Sequence, residues 1–312
     1  MTHAVLNAMI RPLIEPRLPG WVEAEWFTTP AELLALAPRA EIGWFDLWAA
    51  EDMVPAIEAA AGLRWLNTVY TGVDWMPQAT LIQRGVTVTN GKGINAVTIA
   101  EWVVMGMLNV AKGYDQIVRA RDRREWLTAP PGRRELLGSR ALLLGYGAIG
   151  QLVEARLLAF GVEVAKVRRS PGAGVLGPDA WRARLGEFDW VILALPGTAE
   201  TDGMIGAAEL AAMKRDAVLI NVGRGNAVDQ PALTAALADQ RIAAAVLDVT
   251  NPEPLPADDP LWGLPNALIT MHLSGQAQTR GFERGAERFL ANLERWHRGE
   301  LLEHRVDLAR GY

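Results

Sequence analysis

The amino-acid sequence predicts an α/β protein with two domains, one built on a doubly wound parallel sheet and the other smaller. Three observations support this prediction. Short apolar segments alternate with helix-like segments along most of the chain. Gly145, Gly147 and Gly150 follow one of those apolar segments in the spacing G-x-G-x-x-G. The length of 312 residues favours two domains and allows two hydrophobic cores.

The composition narrows the class of protein. Half of the residues are hydrophobic and 21% are charged, as in ordinary globular proteins. The formal net charge of −5 gives no support to nucleic-acid binding. No cysteine is present, which excludes disulfides and cysteine-ligated metals, and we predict no metal site. Since neither a signal peptide nor an apolar stretch of transmembrane length is recognisable, we expect no membrane partner and a cytoplasmic location.

The smaller domain is predicted over residues 1–96 and 277–312. Its first part alternates strand-like and helix-like segments, which is typical of a parallel sheet with crossing helices. The candidate strands are 4–9, 22–27, 42–45, 63–69 and 86–89, and the helices include 30–37 and 51–61. A last helix over 276–297 has one apolar face, and we expect it to cover this domain because no further strand follows it.

A long helix is predicted over residues 98–122, because seven residues recur there at helical spacing. They are Ile99, Trp102, Val103, Gly106, Val110, Tyr114 and Ile117. The stretch 128–134 is rich in proline and charge, and it suits a connector.

The larger domain is predicted over residues 97–276. Its candidate strands are 141–144, 162–167, 189–194, 217–221, 243–248 and 267–271. One helix begins near Asp229, which can cap the N-terminus, and Pro231 suits its first turn. Six strands in βαβ alternation match a complete nucleotide-binding domain of the Rossmann type.

The glycine-rich stretch is predicted to hold the phosphates of a dinucleotide. The apolar strand 141–144 precedes it, and helix-forming residues from 151 to 160 follow it. In this spacing the first glycine permits a tight turn and the second lets the backbone approach a pyrophosphate, while the third allows close packing of helix and strand. The helix N-terminus would direct its free N–H groups and its dipole at the phosphates.

The residues after the second strand indicate which dinucleotide binds. An NAD-binding unit has Asp or Glu about 20 residues past the glycines, to accept from the ribose 2′-hydroxyl. This chain has Arg168, Arg169 and Ser170 instead, which suit a 2′-phosphate by charge and by bidentate geometry. The alternative is an ordinary solvated strand end. We predict NADP(H) in preference to NAD(H).

Three residues able to do chemistry follow three successive strands of the larger domain: Arg224, Glu253 and His272. Ligands of open α/β sheets bind beyond those strand ends. A hydride-transfer site for a 2-oxo acid needs a cation for the carboxylate, a proton donor for the carbonyl oxygen, and a carboxylate that keeps this donor protonated. Singly, each residue could belong to a surface turn, a structural strand end or a solvated loop. Their joint position favours catalysis.

The order and spacing of seven motifs resemble the D-isomer-specific 2-hydroxyacid dehydrogenase family over nearly the whole chain. The matching stretches are Tyr70–Asp74, Thr89–Asn95 running into Ala100 and Glu101, Gly145–Gly150, Leu195–Thr201, Asn221–Gly225, Leu247–Pro256 and Pro265–His272. The resemblance implies a Rossmann cofactor domain and a smaller flavodoxin-like α/β substrate domain. It also implies a homodimer with the 98–122 helix in the interface.

The resemblance implies roles for individual residues. Arg224 would bind the substrate carboxylate, His272 would act as acid and base, and Glu253 would be its partner. Backbone N–H groups around Thr71 and Gly72 would help to hold the carboxylate. The further cofactor contacts would be Ala148, Ile149, Leu195, Pro196, Thr201, Val222, Asp248 and Ser274.

Two positions depart from the usual family pattern. Met271 stands where proline commonly precedes the catalytic histidine, and we expect it to alter the pocket wall without changing the proton chemistry. Arg168 stands where NAD-using members usually carry Asp, so the chain looks like the NADPH-preferring glyoxylate/hydroxypyruvate reductase branch. Trp48 and Trp75 are candidates to line the substrate pocket, although both could equally belong to a domain core.

The predicted activity is therefore the NADPH-dependent reduction of a small 2-oxo acid to its D-2-hydroxy acid. Formate-type relatives carry glutamine where Glu253 stands, which argues against that activity. Phosphoglycerate-type relatives often carry an extra regulatory domain, for which we expect no room in this chain. A dinucleotide-sensing binding protein of the same fold, with little turnover, is the alternative from another class.

Overall fold

The computed structural model describes residues 1–47, 49–170, 172, 174–276 and 280–309. The chain divides into two compact units. Unit 1 consists of Met1–Asn95 and Gln278–Tyr312, and unit 2 consists of Ala96–Ala277. Both units are parallel α/β structures, as the sequence predicts.

The first part of unit 1 forms a five-stranded parallel sheet. Its strands are β1 (Thr2–Asn7), β2 (Val22–Phe27), β3 (Ile42–Trp44), β4 (Trp65–Asn67) and β5 (Thr87–Thr89), in the spatial order β2-β1-β3-β4-β5. Its helices are α1 (Arg11–Ile14), α2 (Pro30–Leu36), α3 (Ala50–Ala59) and α4 (Gln78–Gln83). This strand order is the flavodoxin-like one, and it confirms the predicted class of the smaller domain.

Local hydrogen bonds decide where several of these elements begin and end. The first strand was expected at 4–9, but it ends at Asn7, whose side chain accepts from the N–H of Met9 and caps a 3₁₀ turn. Helix α2 begins after Thr29, which forms a capping box with Glu32. The strand expected over 63–69 is limited to Trp65–Asn67, because only these residues pair with both neighbouring strands.

Unit 2 begins with two helices rather than the single helix predicted over 98–122. They are α5 (Ala96–Lys112) and α6 (Tyr114–Asp122). Gly113 separates them with a φ of 62°, a left-handed conformation that glycine adopts readily. A Cβ atom at this position would lie 2.9 Å from Cγ of Pro131 and 3.0 Å from the backbone nitrogen of Gly132. The prediction of one helix was wrong because apolar periodicity continues across the break.

The rest of unit 2 forms a seven-stranded parallel sheet. In chain order it contains β6 (Arg140–Leu144), α7 (Ala148–Ala159), β7 (Glu163–Val167), β8 (Val175–Leu176), β9 (Trp190–Leu193), α8 (Ala207–Ala212), β10 (Val218–Asn221), α9 (Gln230–Ala238), β11 (Ala244–Leu247) and β12 (Ala267–Ile269). The spatial order is β12-β11-β10-β9-β6-β7-β8. This doubly wound order reverses between β6 and β9, where dinucleotides bind in such sheets. The predicted Rossmann class is confirmed.

The sequence predicted six strands for this sheet, and β8 is the seventh. It has two residues and pairs with Lys166 and Val167 at the end of β7. A segment of this length is too short to show a hydrophobic period. The central strands β9, β10 and β11 are buried at every position, as expected for a sheet with helices on both faces. Asp229 caps α9 by accepting from the N–H of Ala232, as predicted.

The last helix, α10 (Gly281–His297), packs on the sheet of unit 1. Phe289 is fully buried, and the centroid of its ring lies 5.0 Å from the ring centroid of Trp65 in β4. The helix was expected to begin near residue 276; residues 277–279 lie outside the described part of the chain. Among the described helices of both units, none is both long and apolar enough to cross a bilayer.

Candidate active site

The glycine-rich turn joins β6 to α7 in unit 2. Gly145 has a φ of 102°, and a Cβ atom there would overlap the carbonyl oxygen of Ala194. A Cβ atom at Gly150 would overlap the carbonyl oxygen of Gly145, so the third glycine permits close packing of helix and turn. The N–H groups of Gly147, Ala148 and Ile149 have no acceptor among the described residues. The turn therefore offers free donors at a helix N-terminus, and it fits the phosphates of a dinucleotide.

The predicted 2′-phosphate residues follow β7, and all three are exposed. The backbone N–H of Arg168 donates to the carbonyl oxygen of Leu176, at 3.1 Å, so β8 holds this residue beside the strand end. The guanidinium of Arg169 lies 2.8 Å from the carboxylate of Glu200, in the loop after β9. Two cationic side chains thus stand where an NAD-binding unit would have a carboxylate.

The loop after β9 contains Leu195, Pro196 and Thr201. The hydroxyl of Thr201 donates to the carbonyl oxygen of Pro196, at 2.8 Å, and accepts from the N–H of Thr198, at 2.9 Å. Thr201 is itself buried. Its hydroxyl therefore shapes the loop, and its predicted contact with the cofactor stays a prediction.

Arg224 lies in a close-packed turn after β10. The side chain of Asn221 spans this turn, since it donates to the carbonyl oxygen of Arg224 and accepts from the N–H of Gly223. A Cβ atom at Gly225 would overlap the carbonyl oxygen of Thr250, in the loop after β11. Only glycine allows these two loops to approach so closely, and the contact brings Arg224 towards the loop of Glu253. Val222, another predicted cofactor contact, is buried at the start of the turn.

Glu253 and His272 form a direct pair. Oε2 of Glu253 lies 2.8 Å from Nδ1 of His272, and Oε1 accepts from the N–H of Thr250 at 3.0 Å. The side chains are 37% and 49% exposed, so the pair is anchored and still open to a ligand. Two loops from different strand ends thus bring the side chains of Glu253 and His272 together, and their predicted roles stay predictions.

The electrostatics of this pair favour the charged histidine. The hydrogen bond and the charge of Glu253, with help from Asp248, raise the pKa of His272 against burial and the charge of Arg224. Burial favours the neutral form of Glu253, but the bond and charge of His272, the N–H of Thr250 and the charge of Arg224 lower its pKa overall. Both shifts favour an ionised carboxylate beside an imidazolium.

Asp248 holds the segment that carries His272. Its carbonyl oxygen accepts from the backbone N–H of His272 at 2.6 Å. Its buried carboxylate accepts from the hydroxyl of Thr270 at 2.7 Å, from the N–H groups of Leu273 and Ser274, and from the hydroxyl of Ser274. Asp248 and Ser274 were both predicted as cofactor contacts. In the structure, the hydroxyl of Ser274 donates to the carboxylate of Asp248. A contact of either with the cofactor stays a prediction.

Helix α5 also forms hydrogen bonds to the segment that carries His272, and the sequence did not predict these contacts. The indole N–H of Trp102 donates to the hydroxyl of Thr270 at 2.9 Å. The hydroxyl of Thr98 donates to the carbonyl oxygen of Ser274 at 3.1 Å. These contacts join residues more than 160 positions apart in the chain, so no local pattern could indicate them.

Met271 and His272 both have left-handed backbone conformations, with φ of 53° and 57°. The proline that the family commonly has at position 271 could not adopt this φ, because its ring holds φ near −65°. Proline at position 271 would therefore require a backbone conformation other than the one that Met271 has here. Met271 is 61% exposed.

The predicted carboxylate loop lies in unit 1, directly after β4. The carbonyl oxygen of Thr71 accepts from the side-chain amide of Asn90 at 2.7 Å, and that of Gly72 accepts from the indole of Trp75 at 3.2 Å. The N–H groups of Thr71 and Gly72 have no acceptor within the described part of the chain. This loop is therefore suited to bind an anion through its backbone. Trp75 supports the loop, and Trp48 lies outside the described residues.

A doubly wound sheet with a glycine-rich turn at its switch point, and with a histidine–glutamate pair beyond its strand ends, is typical of dinucleotide-binding units. The chain belongs to the D-isomer specific 2-hydroxyacid dehydrogenase family: residues 104–274 match the model of the NAD-binding domain of that family.

Individual relatives agree with this assignment. The glyoxylate reductase of Korarchaeum cryptofilum is 34% identical over 254 residues, which cover 78% of this chain and 76% of the relative. The D-3-phosphoglycerate dehydrogenase of Methanocaldococcus jannaschii is 31% identical over 261 residues, and this chain spans only 49% of its length. The crystal structure of an NADPH-dependent glyoxylate/hydroxypyruvate reductase from Sinorhizobium meliloti, in complex with NADP and malonate, is 27% identical. The superposition of the two structures covers 99% of this chain and 98% of the reductase chain, with a TM-score of 0.80.

Proposed function

We propose that this protein uses NADPH to reduce a small 2-oxo acid to its D-2-hydroxy acid, with glyoxylate and hydroxypyruvate as the first substrates to try. The observation that carries the proposal is the hydrogen bond between His272 and Glu253, with the positive charge of Arg224 acting on both groups. An acid held protonated beside a cation is what the reduction of a 2-oxo acid requires. The likeness to glyoxylate reductases supports this choice of substrate.

His272 is the proton donor. Because Nδ1 bonds to Glu253, Nε2 is the nitrogen that remains for the substrate. A bound reduced nicotinamide supplies the hydride to the carbonyl carbon. His272 delivers the matching proton from Nε2 to the carbonyl oxygen and becomes neutral. In the oxidation of a hydroxy acid, neutral His272 accepts that proton.

Arg224 of unit 2 is assigned to the substrate carboxylate, and the N–H groups of Thr71 and Gly72 in unit 1 stay predicted contacts of the same group. A guanidinium binds a carboxylate through two parallel hydrogen bonds, which also orients the carbonyl group. The N–H groups of Thr71 and Gly72, which have no acceptor among the described residues, are neutral donors suited to an anion. Charge and geometry together select a 2-oxo acid over an uncharged ketone.

NADPH is preferred over NADH in this proposal. Arg168, Arg169 and Ser170 provide two positive charges and a hydroxyl for the 2′-phosphate, and all three are exposed to a ligand. The remaining contacts of the cofactor are those predicted from the sequence, with unit 2 as its domain and unit 1 as the substrate domain. The homodimer and the cytoplasmic location stay predictions.

The test measures the oxidation of NADPH and of NADH by absorbance, over a panel of 2-oxo acids. We expect turnover of glyoxylate or hydroxypyruvate, with kcat/KM at least about tenfold higher for NADPH. Comparable values with NADH would contradict the assignment of the cofactor. The variant His272→Ala should lower kcat by about 10²- to 10⁴-fold, as expected for a lost general acid, with unchanged affinity for NADPH. Binding of NADPH without turnover of any 2-oxo acid would instead favour a dinucleotide-sensing protein.

A further inference from the structure

A second carboxylate of interest, Asp46, lies in unit 1 just after β3. Its Oδ2 accepts from the indole N–H of Trp44 and from the backbone N–H of Val69, both at 2.7 Å. Its Oδ1 accepts from the hydroxyl of Thr68 at 2.6 Å. Both oxygens are therefore used, and two of the three donors belong to the segment that follows β4.

The three described donors to the carboxylate of Asp46 are all neutral groups. Burial raises its pKa to about 6, although the bonds from Thr68, Val69 and Trp44 oppose this rise. Within the part of the chain that the structure describes, no cation contributes to this pKa. The nearby titratable group is Tyr70, whose own pKa is raised to about 12 by burial and by the charge of Asp46. A carboxyl group in such a site is costly, and its three hydrogen bonds constrain the segment after β4, which supplies two of the donors.

The segment from Thr68 to Gly72 is held from one side by Asp46. The hydroxyl of Thr68, which donates to Asp46, also accepts from the N–H of Tyr70 at 3.1 Å. The phenol of Tyr70 in turn donates to the carbonyl oxygen of Leu47, the neighbour of Asp46, at 2.6 Å. A chain of hydrogen bonds thus runs from the end of β3 into this segment.

The turn after β5 holds the segment from its other side. The N–H of Gly91 donates to the carbonyl oxygen of Tyr70 at 2.9 Å, and the side chain of Asn90 donates to that of Thr71. A Cβ atom at Gly91 would overlap the carbonyl oxygen of Val69, so only glycine allows this approach. Between the two supports, the N–H groups of Thr71 and Gly72 are left as donors without an acceptor among the described residues.

We propose that Asp46 is a positioning residue for the substrate carboxylate: through Val69 and Thr68 it fixes the direction of the free N–H groups of Thr71 and Gly72. The inference rests on the proposed function for its link to a substrate. It identifies a determinant of substrate binding outside the three predicted catalytic residues. Loss of Asp46 misaligns neutral donors that bind the carboxylate equally in the ground state and the transition state, so it acts on KM more than on kcat.

Four variants test this role. Asp46→Ala removes the acceptor, and Thr68→Val removes both the donor to Asp46 and the acceptor for Tyr70. Thr68→Ser keeps the hydroxyl and is the matched rescue. Asp46→Asn keeps one oxygen for Val69 and Trp44, and its amide can donate to Thr68. Its KM for the 2-oxo acid should therefore lie between those of Asp46→Ala and the wild type. Glu58→Gln removes an exposed carboxylate of the same unit and is the control for charge.

Steady-state kinetics provide the first measurement. We expect Asp46→Ala and Thr68→Val to raise KM for glyoxylate or hydroxypyruvate by about tenfold or more, with kcat within about threefold and KM for NADPH unchanged. Thr68→Ser and Glu58→Gln should remain within about twofold of the wild type. If KM for the 2-oxo acid stays within twofold in Asp46→Ala and Thr68→Val, or if both KM values rise together, the positioning role is wrong.

Hydrogen exchange provides a second measurement that does not depend on turnover. In Asp46→Ala we expect faster exchange over residues 68–72, with unchanged exchange over residues 145–150 of unit 2. Unchanged exchange over 68–72 would overturn the inference even if KM rises. A wild-type protein that turns over no 2-oxo acid would defeat the proposed function separately, because the exchange result tests the support of the loop by itself.

Discussion

The carboxylate of Glu200 lies 2.8 Å from the guanidinium of Arg169, so an ion pair joins the end of β7 to the loop after β9. Both side chains are about 60% exposed, at 58% and 62%, and an exposed pair of this kind contributes little to stability. Its consequence is for ligand binding, because Arg169 is one of the two cations that we assign to the 2′-phosphate. A 2′-phosphate must compete with Glu200 for that guanidinium.

Replacement of Glu200 by Gln should therefore strengthen NADPH binding. An exposed ion pair is worth about 0.2–1 kcal/mol, so KM for NADPH should fall by about 1.4- to fivefold. KM for NADH should not change, since NADH has no 2′-phosphate. Asp179→Asn, which removes a carboxylate that is 95% exposed in the same unit, is the matched control. An equal change for both cofactors would show that Glu200 does not act through the 2′-phosphate.

Replacement of Glu253 by Gln should change the pH dependence of the reaction. Reduction needs protonated His272, so its rate falls as the pH rises through the pKa of that histidine. The bond and charge of Glu253 raise this pKa against burial, and their loss lowers it. The fall in kcat/KM for reduction should therefore begin at a lower pH in the variant.

Oxidation of the hydroxy acid should respond to the same variant with a higher rate at lower pH, where reduction shows a lower rate. It needs neutral His272, so its rate should begin to rise at a lower pH in Glu253→Gln than in the wild type. A pH profile with unchanged limbs in both directions would contradict the assignment of Glu253 as the partner of His272.

Replacement of Ser274 by Ala should destabilise the segment that carries His272. The carboxylate of Asp248 is buried and would lose the hydroxyl donor on its Oδ2. An unsatisfied buried group costs about 1–3 kcal/mol, which lowers Tm by several degrees in a domain of this size. Thr270→Val, which removes a donor to Oδ1, should act in the same way. Calorimetry with and without NADPH would check both, and an unchanged Tm would show that Asp248 does not depend on these donors.

Replacement of Gly113 by Ala should destabilise unit 2 at the break between α5 and α6. A left-handed conformation costs a non-glycine residue about 1–2 kcal/mol. At Gly113 the added methyl group would also meet Pro131 at 2.9 Å. Gly138 provides the control, since its φ is 75° but a Cβ atom there would meet nothing within 4 Å. Chemical denaturation should therefore show a larger loss for Gly113→Ala than for Gly138→Ala, and equal losses would show that the contact with Pro131 is relieved.

The unfolding free energy should depend on the protonation of Asp46. Burial raises its pKa in the folded protein to about 6, above the value of about 3.9 in an unfolded chain. The folded state then binds more protons between these values, so stability is lost as the pH rises from about 4 to about 6. The size of this loss is on the order of 1–2 kcal/mol. Asp46→Asn cannot titrate, so its stability relative to the wild type should increase over the same range. Parallel stability curves would contradict the buried state of this carboxyl group.

Several features of this protein were determined by local sequence alone. The G-x-G-x-x-G turn, the buried runs of the central strands and the Asp229 cap each depend on residues within a few positions of one another. The candidate site could also be predicted in part. Because parallel strands present their carboxyl ends at one edge of a sheet, Arg224, Glu253 and His272 were expected together, and the structure pairs Glu253 with His272.

Other features were decided only by tertiary structure. Pro131 and Gly132 approach Gly113 so closely that a Cβ atom there would not fit, and the two-residue strand β8 is defined by its pairing with the end of β7. The hydrogen bond of Trp102 to Thr270, and that of the Val69 N–H to Asp46, join groups that are far apart in the chain. The pKa values of Asp46 and His272 likewise follow from burial and from partners in other loops. Such effects depend on distances between elements, which no local pattern of residues contains.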